Sequence, residues 1–309
     1  MKKILKVGIV GAGTMGRRIA FGCIICDKEV RLFDISSEAS KEAEKEVRHL
    51  VEGNFSNFSI PKNNVQSVMS FLSINSNLKD CVVGVDLVIE AVPENIKLKQ
   101  KVFAEIDKNA NPDTLICTNT SSIPGSKLAN ATRRPEKVFN INFGSLKELK
   151  VELMPHPLTA KTTFEAAIEF VKSINLIPIV VRREILGYAT NRVWRAIKHE
   201  VLFLLDGGYI SAEDIDRGWM LEWGTAIGPC GMMDEVGLDV VRDIEMIYYK
   251  ASKNPSDKPP KLLLEMIAKG KLGVKSGEGF YKYPNPVFKN PDWLRGESKD
   301  RLYFSKNMD

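Results

Sequence analysis

The chain is expected to be α/β in its first part and all-helical in its second. Three observations carry this. Short apolar runs alternate with helical patterns between Lys6 and Val181, a glycine-rich turn directly follows the first run, and strand-like runs stop after Arg183. Strands alternating with helices call for a parallel sheet covered by helices on both faces.

The first strand is Lys6–Val10, short and apolar. Lysines ahead of this stretch give Met1–Val10 some likeness to a signal segment. It runs straight into Gly11-Ala12-Gly13, however, with no long apolar core and no small-residue cleavage site, so it reads as a strand. Glu29–Phe33 is a second extended run, followed by Asp86–Val92, Thr114–Thr118, Val138–Asn142, Val151–Leu153 and Ile177–Val181. Thr14–Cys26, Ser37–Val51, Lys97–Lys108 and Thr162–Ser173 carry helical patterns between them. Residues 53–80 are rich in Asn and Ser, with apolar groups only around Phe55, Phe58, Val65 and Val68; they read as an irregular or short-helical insertion. Asn191–Leu205 is a long helical stretch, Ser211 with Asp214 marks a capped helix start, and Gly237–Lys250 and Pro259–Lys269 complete the helices. The domain boundary is placed near residues 183–187, giving domains of 1–184 and 185–309. The Lys/Asn/Pro/Asp-rich segment beyond Tyr283 reads as either a surface strap or a partly disordered stretch.

Composition narrows the function. With 309 residues the chain can bury two cores without staples. Lys+Arg 44 against Asp+Glu 39 leaves +5, spread along the chain: suited to a phosphate-bearing small molecule, too weak and scattered for nucleic acid. No apolar run approaches the ~20 residues that span a bilayer, so no membrane partner is expected. Five cysteines, an odd number, point to free thiols in the cytoplasm. Cys23 and Cys26 form a C-x-x-C, but with no second pair and no nearby histidine they read as small residues on a packed helix, and no metal is expected.

Gly11-Ala12-Gly13-Thr14-Met15-Gly16 fits G-x-G-x-x-G between a strand and a helix, the context a dinucleotide-binding turn requires. The first glycine permits the tight turn, the second lets the backbone approach a pyrophosphate, and the third lets helix and strand pack closely. The helix N-terminus adds unpaired N–H groups and its positive dipole end. Asp34 ends the second run, 23 residues after Gly11, where an acid bonds the ribose hydroxyls. Ile35, Ser36 and Ser37 follow it, with no arginine for a 2′-phosphate, so NAD is favoured over NADP.

Further strings share one family pattern: Asp86-Leu87-Val88-Ile89-Glu90-Ala91-Val92-Pro93-Glu94, Asn119-Thr120-Ser121-Ser122, Gly187-Tyr188-Ala189-Thr190-Asn191-Arg192, Glu213-Asp214-Ile215-Asp216, Gly228-Pro229, Val236-Gly237-Leu238-Asp239 and Gly277-Glu278-Gly279-Phe280-Tyr281. In this order and spacing the chain resembles the L-3-hydroxyacyl-CoA dehydrogenases from about residue 4 to residue 283. The resemblance implies an NAD-dependent oxidoreductase of fatty acid metabolism, with an N-terminal Rossmann-type domain followed by a helical domain that pairs two subunits. It implies that Glu94, Lys99 and Asn119 lie near the nicotinamide end of NAD, and that Ser121 bonds the substrate oxygen. It further implies that Asn191 faces the active site from the second domain, and that Glu152 orients a catalytic base.

That base is where the chain departs. The family carries a histidine 21 residues after the serine, in a His-Phe-Phe-Asn-Pro stretch; here the string is Asn140-Ile141-Asn142-Phe143-Gly144-Ser145, and the loop to Glu152 is about two residues shorter. An imidazole with pKa near ~6.5 can take a hydroxyl proton, whereas the Asn142 amide can only hydrogen-bond. His156, Lys150 and Glu152 are the alternative bases near the strand end. His199 lies about 80° around its helix from Asn191, and His49 sits on a Lys/Glu-rich helix. For the phosphates of CoA, residues 53–80 supply only Lys62 and Lys79; Lys41, Lys45 and Arg48 on the preceding helix are either a phosphate patch or a solvated face. Three functions follow: a 3-hydroxyacyl-CoA dehydrogenase, a dehydrogenase of a free hydroxy or sugar acid, or a catalytically impaired NAD(H)-binding protein.

Overall fold

A computed structural model describes residues 3–53, 64–144 and 149–295. The chain divides into two compact units, Met1–Ala189 and Thr190–Asp309.

The first unit is built on an eight-stranded sheet. Its elements are β1 (Lys6–Val10), α1 (Thr14–Ile24), β2 (Glu29–Phe33), α2 (Ser37–Gly53), α3 (Val65–Met69), β3 (Leu72–Asn75), α4 (Leu78–Val82), β4 (Leu87–Glu90), α5 (Ile96–Asn109), β5 (Leu115–Thr118), α6 (Gly125–Ala129), β6 (Val138–Phe143), β7 (Lys150–Pro155), α7 (Lys161–Ser173) and β8 (Ile177–Val180). The strand order is β3-β2-β1-β4-β5-β6-β7-β8. The first six strands are parallel; β7 pairs antiparallel with β6, and β8 runs parallel to β7. The sheet is therefore mixed. The connection from β6 to β7 is too short for a crossover, so the chain must turn back as a hairpin.

Alternation along the central strands builds two cores. Ile9, Ile89, Cys117 and Ile141 face one way, onto α1, α2 and α7. Val10, Val88, Ile116 and Val138 face the other, onto α4, α5 and α6. The insertion expected to be irregular contains a true strand: β3 pairs with β2 from Val30↔Leu72 to Phe33↔Asn75. Its Leu72 and Ile74 alternate with Ser73 and Asn75 and pack half-buried against the first core, but four residues make too short a run to stand out among the flanking Asn and Ser. Phe55, Phe58 and Lys62 lie outside the described residues.

The second unit contains α8 (Thr190–Asp206), α9 (Ala212–Trp223), α10 (Pro229–Val236), α11 (Leu238–Ser252), α12 (Lys261–Ala268) and α13 (Pro291–Leu294). Only isolated bridges, Gly273↔Glu278 and Glu278↔Lys282, interrupt its helical character among the described residues. Ser211 Oγ accepts the Asp214 amide at 3.0 Å, the expected N-cap. α10, which periodicity did not reveal, starts on Pro229. It is capped by the buried Asp216 of α9, which accepts the amides of Cys230 (2.8 Å) and Gly231 (2.9 Å).

One expectation is corrected here. The segment after Tyr283 is no loose strap in its described part, because Phe288 and Trp293 are buried in the helical core and Arg217 stacks on the Trp293 ring. Leu202, Met220 and Met233 fill the core, whereas Phe203 and Trp223 are more than half exposed.

Candidate active site

The glycine turn shows a division of labour. Gly11 has φ +113°, donates its amide to Phe33 O at 2.8 Å, and approaches β4 so closely that a Cβ would lie 2.6 Å from the Ala91 carbonyl. A Cβ on Gly16 would strike the Gly11 carbonyl, so that position lets α1 pack onto the turn. Nothing stands within 4 Å of a Cβ placed on Gly13, which leaves this side of the turn open. No side chain caps α1 and no acid lies in its first turn, where Thr14 is exposed and Met15 half-buried. The positive helix end is thus available to an anion. Asp34 is half-buried: one carboxylate oxygen accepts the Ala12 amide at 2.8 Å and the other the Ser36 amide at 2.9 Å. Each oxygen keeps a second lone pair for a ribose hydroxyl. These residues fit a dinucleotide.

The neighbouring C-x-x-C is structural in character. Cys23 is fully buried, and burial pushes its thiol up to about 12, while Cys26 is half-buried. Among the described residues no group of side chains could hold a metal ion.

A second cluster lies after β4 and β5. Glu94 accepts hydrogen bonds from the hydroxyls of Thr120 and Ser122 and so braces the turn carrying Ser121. Lys99 is fully buried; its Nζ lies 2.8 Å from Glu90 Oε1, 3.0 Å from the Val92 carbonyl and 3.5 Å from Glu94. It supports the site from beneath and presents no charge at the surface. Glu90, also fully buried, takes Thr118 Oγ1 at 2.7 Å on its second oxygen. Burial holds the Glu90 carboxyl above the usual carboxylate range, against the pull of the Lys99 ammonium. Asn119 uses its side-chain oxygen to accept the Phe143 amide at 3.0 Å, which ties the end of β5 to the residue after Asn142.

Ser121 is exposed, and no hydrogen bond engages its hydroxyl among the described residues. Asn142 is half-buried near the end of β6, and the antiparallel register sets it directly opposite Glu152 of β7. Directly opposed residues of such a pair share a face, with Cβ atoms about 4.5–5.5 Å apart. Glu152 is fully buried and accepts the Ala189 amide at 3.1 Å. Asn191 is exposed in the first turn of α8, in the second unit.

The histidines take no place in this arrangement. His156 is buried; Nε2 faces the Pro135 carbonyl at 2.8 Å, and Nδ1 accepts the Leu158 amide at 3.3 Å. Both ring nitrogens are spent on backbone, so His156 is a capping residue and not a base. His199 Nε2 meets the Ser256 carbonyl at 2.8 Å, and His49 is exposed on α2. Lys150 is half-buried at the start of β7. Lys41, Lys45 and Arg48 share one groove on α2 with Glu44 and Glu52, whose carboxylates divide the positive charge.

Sequence reasoning missed Glu90, Thr118 and Tyr188 as site residues. A charged residue inside an otherwise apolar strand was the available signal for Glu90. Tyr188 gave none, because its role depends on a backbone conformation.

Comparison with known proteins follows this geometry. Residues 6–185 match the family model "3-hydroxyacyl-CoA dehydrogenase, NAD binding domain", and residues 187–283 match "3-hydroxyacyl-CoA dehydrogenase, C-terminal domain". The chain is 32% identical over 292 residues to the mitochondrial hydroxyacyl-coenzyme A dehydrogenase of Homo sapiens, covering 91% of this chain and 93% of the human one. It is 30% identical over 289 residues to the 5-formyl-3-hydroxy-2-methylpyridine 4-carboxylate 5-dehydrogenase of Mesorhizobium japonicum, covering 91% of each. The solved (S)-3-hydroxybutyryl-CoA dehydrogenase of Ralstonia eutropha superposes with a TM-score of 0.85 at 32% identity, over 92% of this chain and 100% of that one.

Proposed function

Because the chain belongs to the 3-hydroxyacyl-CoA dehydrogenase family, we propose that it is an NAD-dependent oxidoreductase interconverting a 3-hydroxyacyl-CoA and its 3-oxoacyl-CoA. The observation that carries this is a shared edge. β1, β4, β5 and β6 are parallel, so the glycine turn, the Glu94 segment, the Ser121 turn and Asn142 all gather at the carboxyl ends of the strands.

The glycine turn and Asp34 hold the NAD, with Glu94 and Asn119 toward its reactive end. NAD held there would supply the acceptor for the hydride of the substrate's carbinol carbon. Ser121 hydrogen-bonds the substrate oxygen, and the Asn142 amide donates to it without titrating. The hydroxyl proton goes to the Glu152 carboxylate through a water, since neither amide nor capped histidine can take it. A carboxylate acting through a water replaces a directly placed imidazole, a group worth ~10²–10⁴-fold, so turnover is expected to be weak to moderate.

A second reading keeps the chemistry and changes the substrate to a free hydroxy acid. Asn142 favours it, as does the likeness to the Mesorhizobium enzyme, whose name places a carboxylate on its substrate. The deciding experiment measures NADH formation and consumption with a panel of acyl-CoAs and free hydroxy acids, with NADPH as control. Best turnover with 3-hydroxyacyl-CoAs supports the first reading and best turnover with a free acid the second. Tight NADH binding with no turnover anywhere would leave a nucleotide-binding protein.

The protein is further proposed to be a homodimer through its helical unit, where Phe203, Tyr209, Leu221 and Trp223 are exposed. A monomeric mass by sedimentation at micromolar concentration would refute this. Its free thiols suit the cytoplasm. No described helix is long and apolar enough to cross a membrane.

A further inference from the structure

We propose that Tyr188 is a positioning residue for Ser121: its hydroxyl fixes the peptide that precedes the serine, while the backbone beside it holds Glu152. The inference rests on the reading of Ser121 as the group that bonds the substrate oxygen.

Tyr188 is 1% exposed, and its hydroxyl donates to the Thr120 carbonyl at 2.9 Å. Thr120 is itself buried, and its side chain is held by Glu94. The residue before Ser121 is thus clamped through its hydroxyl from one side and through its carbonyl from the other, while Ser121 stays exposed. Burial keeps the Tyr188 phenol protonated far above neutral pH, so toward this carbonyl it is always a donor.

The backbone of Tyr188 makes the second connection. Its φ is +55°, a left-handed conformation rare for a residue with a bulky side chain, and Gly187 before it has φ +82°. This bend sends the ring inward to Thr120 while the next amide, that of Ala189, reaches Glu152 at 3.1 Å. The surrounding segment is anchored as well. Glu184 accepts the Ser126 amide and hydroxyl at 2.8 and 2.6 Å, and the Ile185 amide meets Met154 Sδ at 3.2 Å. One short segment therefore registers the Ser121 turn against the β7 carboxylate, two groups brought together from distant parts of the sequence. A phenylalanine would fill the same space and lose the hydroxyl's bond to Thr120 together with its interaction with the Asn140 side chain.

The test is a double-mutant cycle in the full chain, using Tyr188→Phe, Ser121→Ala and the pair, assayed with 3-oxobutyryl-CoA and NADH. Tyr188→Phe is expected to lower kcat about 10-fold, as a sub-ångström misplacement of a reacting group does. The KM for NADH should stay unchanged. In the Ser121→Ala background the same change should cost less than about 2-fold, because the group it positions is gone. Equal losses in both backgrounds, or no loss in the parent, would overturn the proposal. A Ser121→Ala variant as fast as the parent overturns the reading of Ser121 on which it rests. That failure is distinguishable, because it shows in the single serine variant alone.

Discussion

The nucleotide-binding turn and the β6–β7 hairpin sit at the same edge of one sheet, yet they tolerate change very differently. The first is made of backbone. Its amides, its φ of +113° at Gly11 and the open side of Gly13 need three glycines and one acid, and all four are in place. The second is made of side chains. Asn142 and Glu152 meet only because the strand register opposes them, and one substitution removes the titrating group without disturbing a single ladder bond. A backbone-built subsite fails when its fold fails, whereas a side-chain subsite can lose its chemistry while the fold persists.

The largest effect should come from returning an imidazole to the hairpin. Asn142→His is expected to raise 3-hydroxyacyl-CoA oxidation by ~10²–10⁴-fold. It should also introduce a pH dependence in which oxidation rises as pH passes through ~6.5 and the imidazole becomes neutral. If the shorter loop misplaces the ring, steady-state assays will show no gain, and the hairpin must then be regarded as rebuilt around asparagine. In that case Glu152→Gln should abolish the native turnover.

Next in size is the pair beneath the site. Lys99→Met leaves the Glu90 carboxylate buried without its partner, which typically costs ~3–5 kcal/mol. Urea unfolding should show the midpoint falling at constant slope. The folded carboxyl is already raised by burial, so the variant should be least destabilised at low pH, where Glu90 is protonated, and more so as pH rises. Pair loss with no change in stability would mean that the cluster is not a structural support.

On the backbone-built side, Asp34→Ser should weaken NAD binding by ~10–100-fold, because hydrogen bonds to a charged group are worth ~1.5–3 kcal/mol. It should also narrow the gap to NADP. Equal affinity of the parent for both nucleotides by calorimetry would remove this role. The smallest effect is expected at His156. His156→Gln should lower stability by ~1–3 kcal/mol through its lost backbone bonds and leave kcat unchanged. A loss of kcat with unchanged stability would restore His156 as a proton acceptor.

The central strands with their longer helices, the glycine turn with Asp34, and the asparagine at 142 could be read from the residues. Each depends on local pattern: period-two alternation, a backbone only glycine adopts, or a residue type that either titrates or does not. Only the tertiary structure decided the rest. β3 escaped because a four-residue edge strand is too short a run to read, and α10 because its first amides are satisfied by Asp216 from another helix. Lys99 turned inward because Glu90 awaited it nine residues away in a strand, and His156 was spent on the Pro135 carbonyl. Asn142 found Glu152 through strand register, and Tyr188 found Thr120 across 68 residues by a left-handed bend. Such pairings are decided by which segments the packed sheet brings together, and no local window of sequence contains both partners.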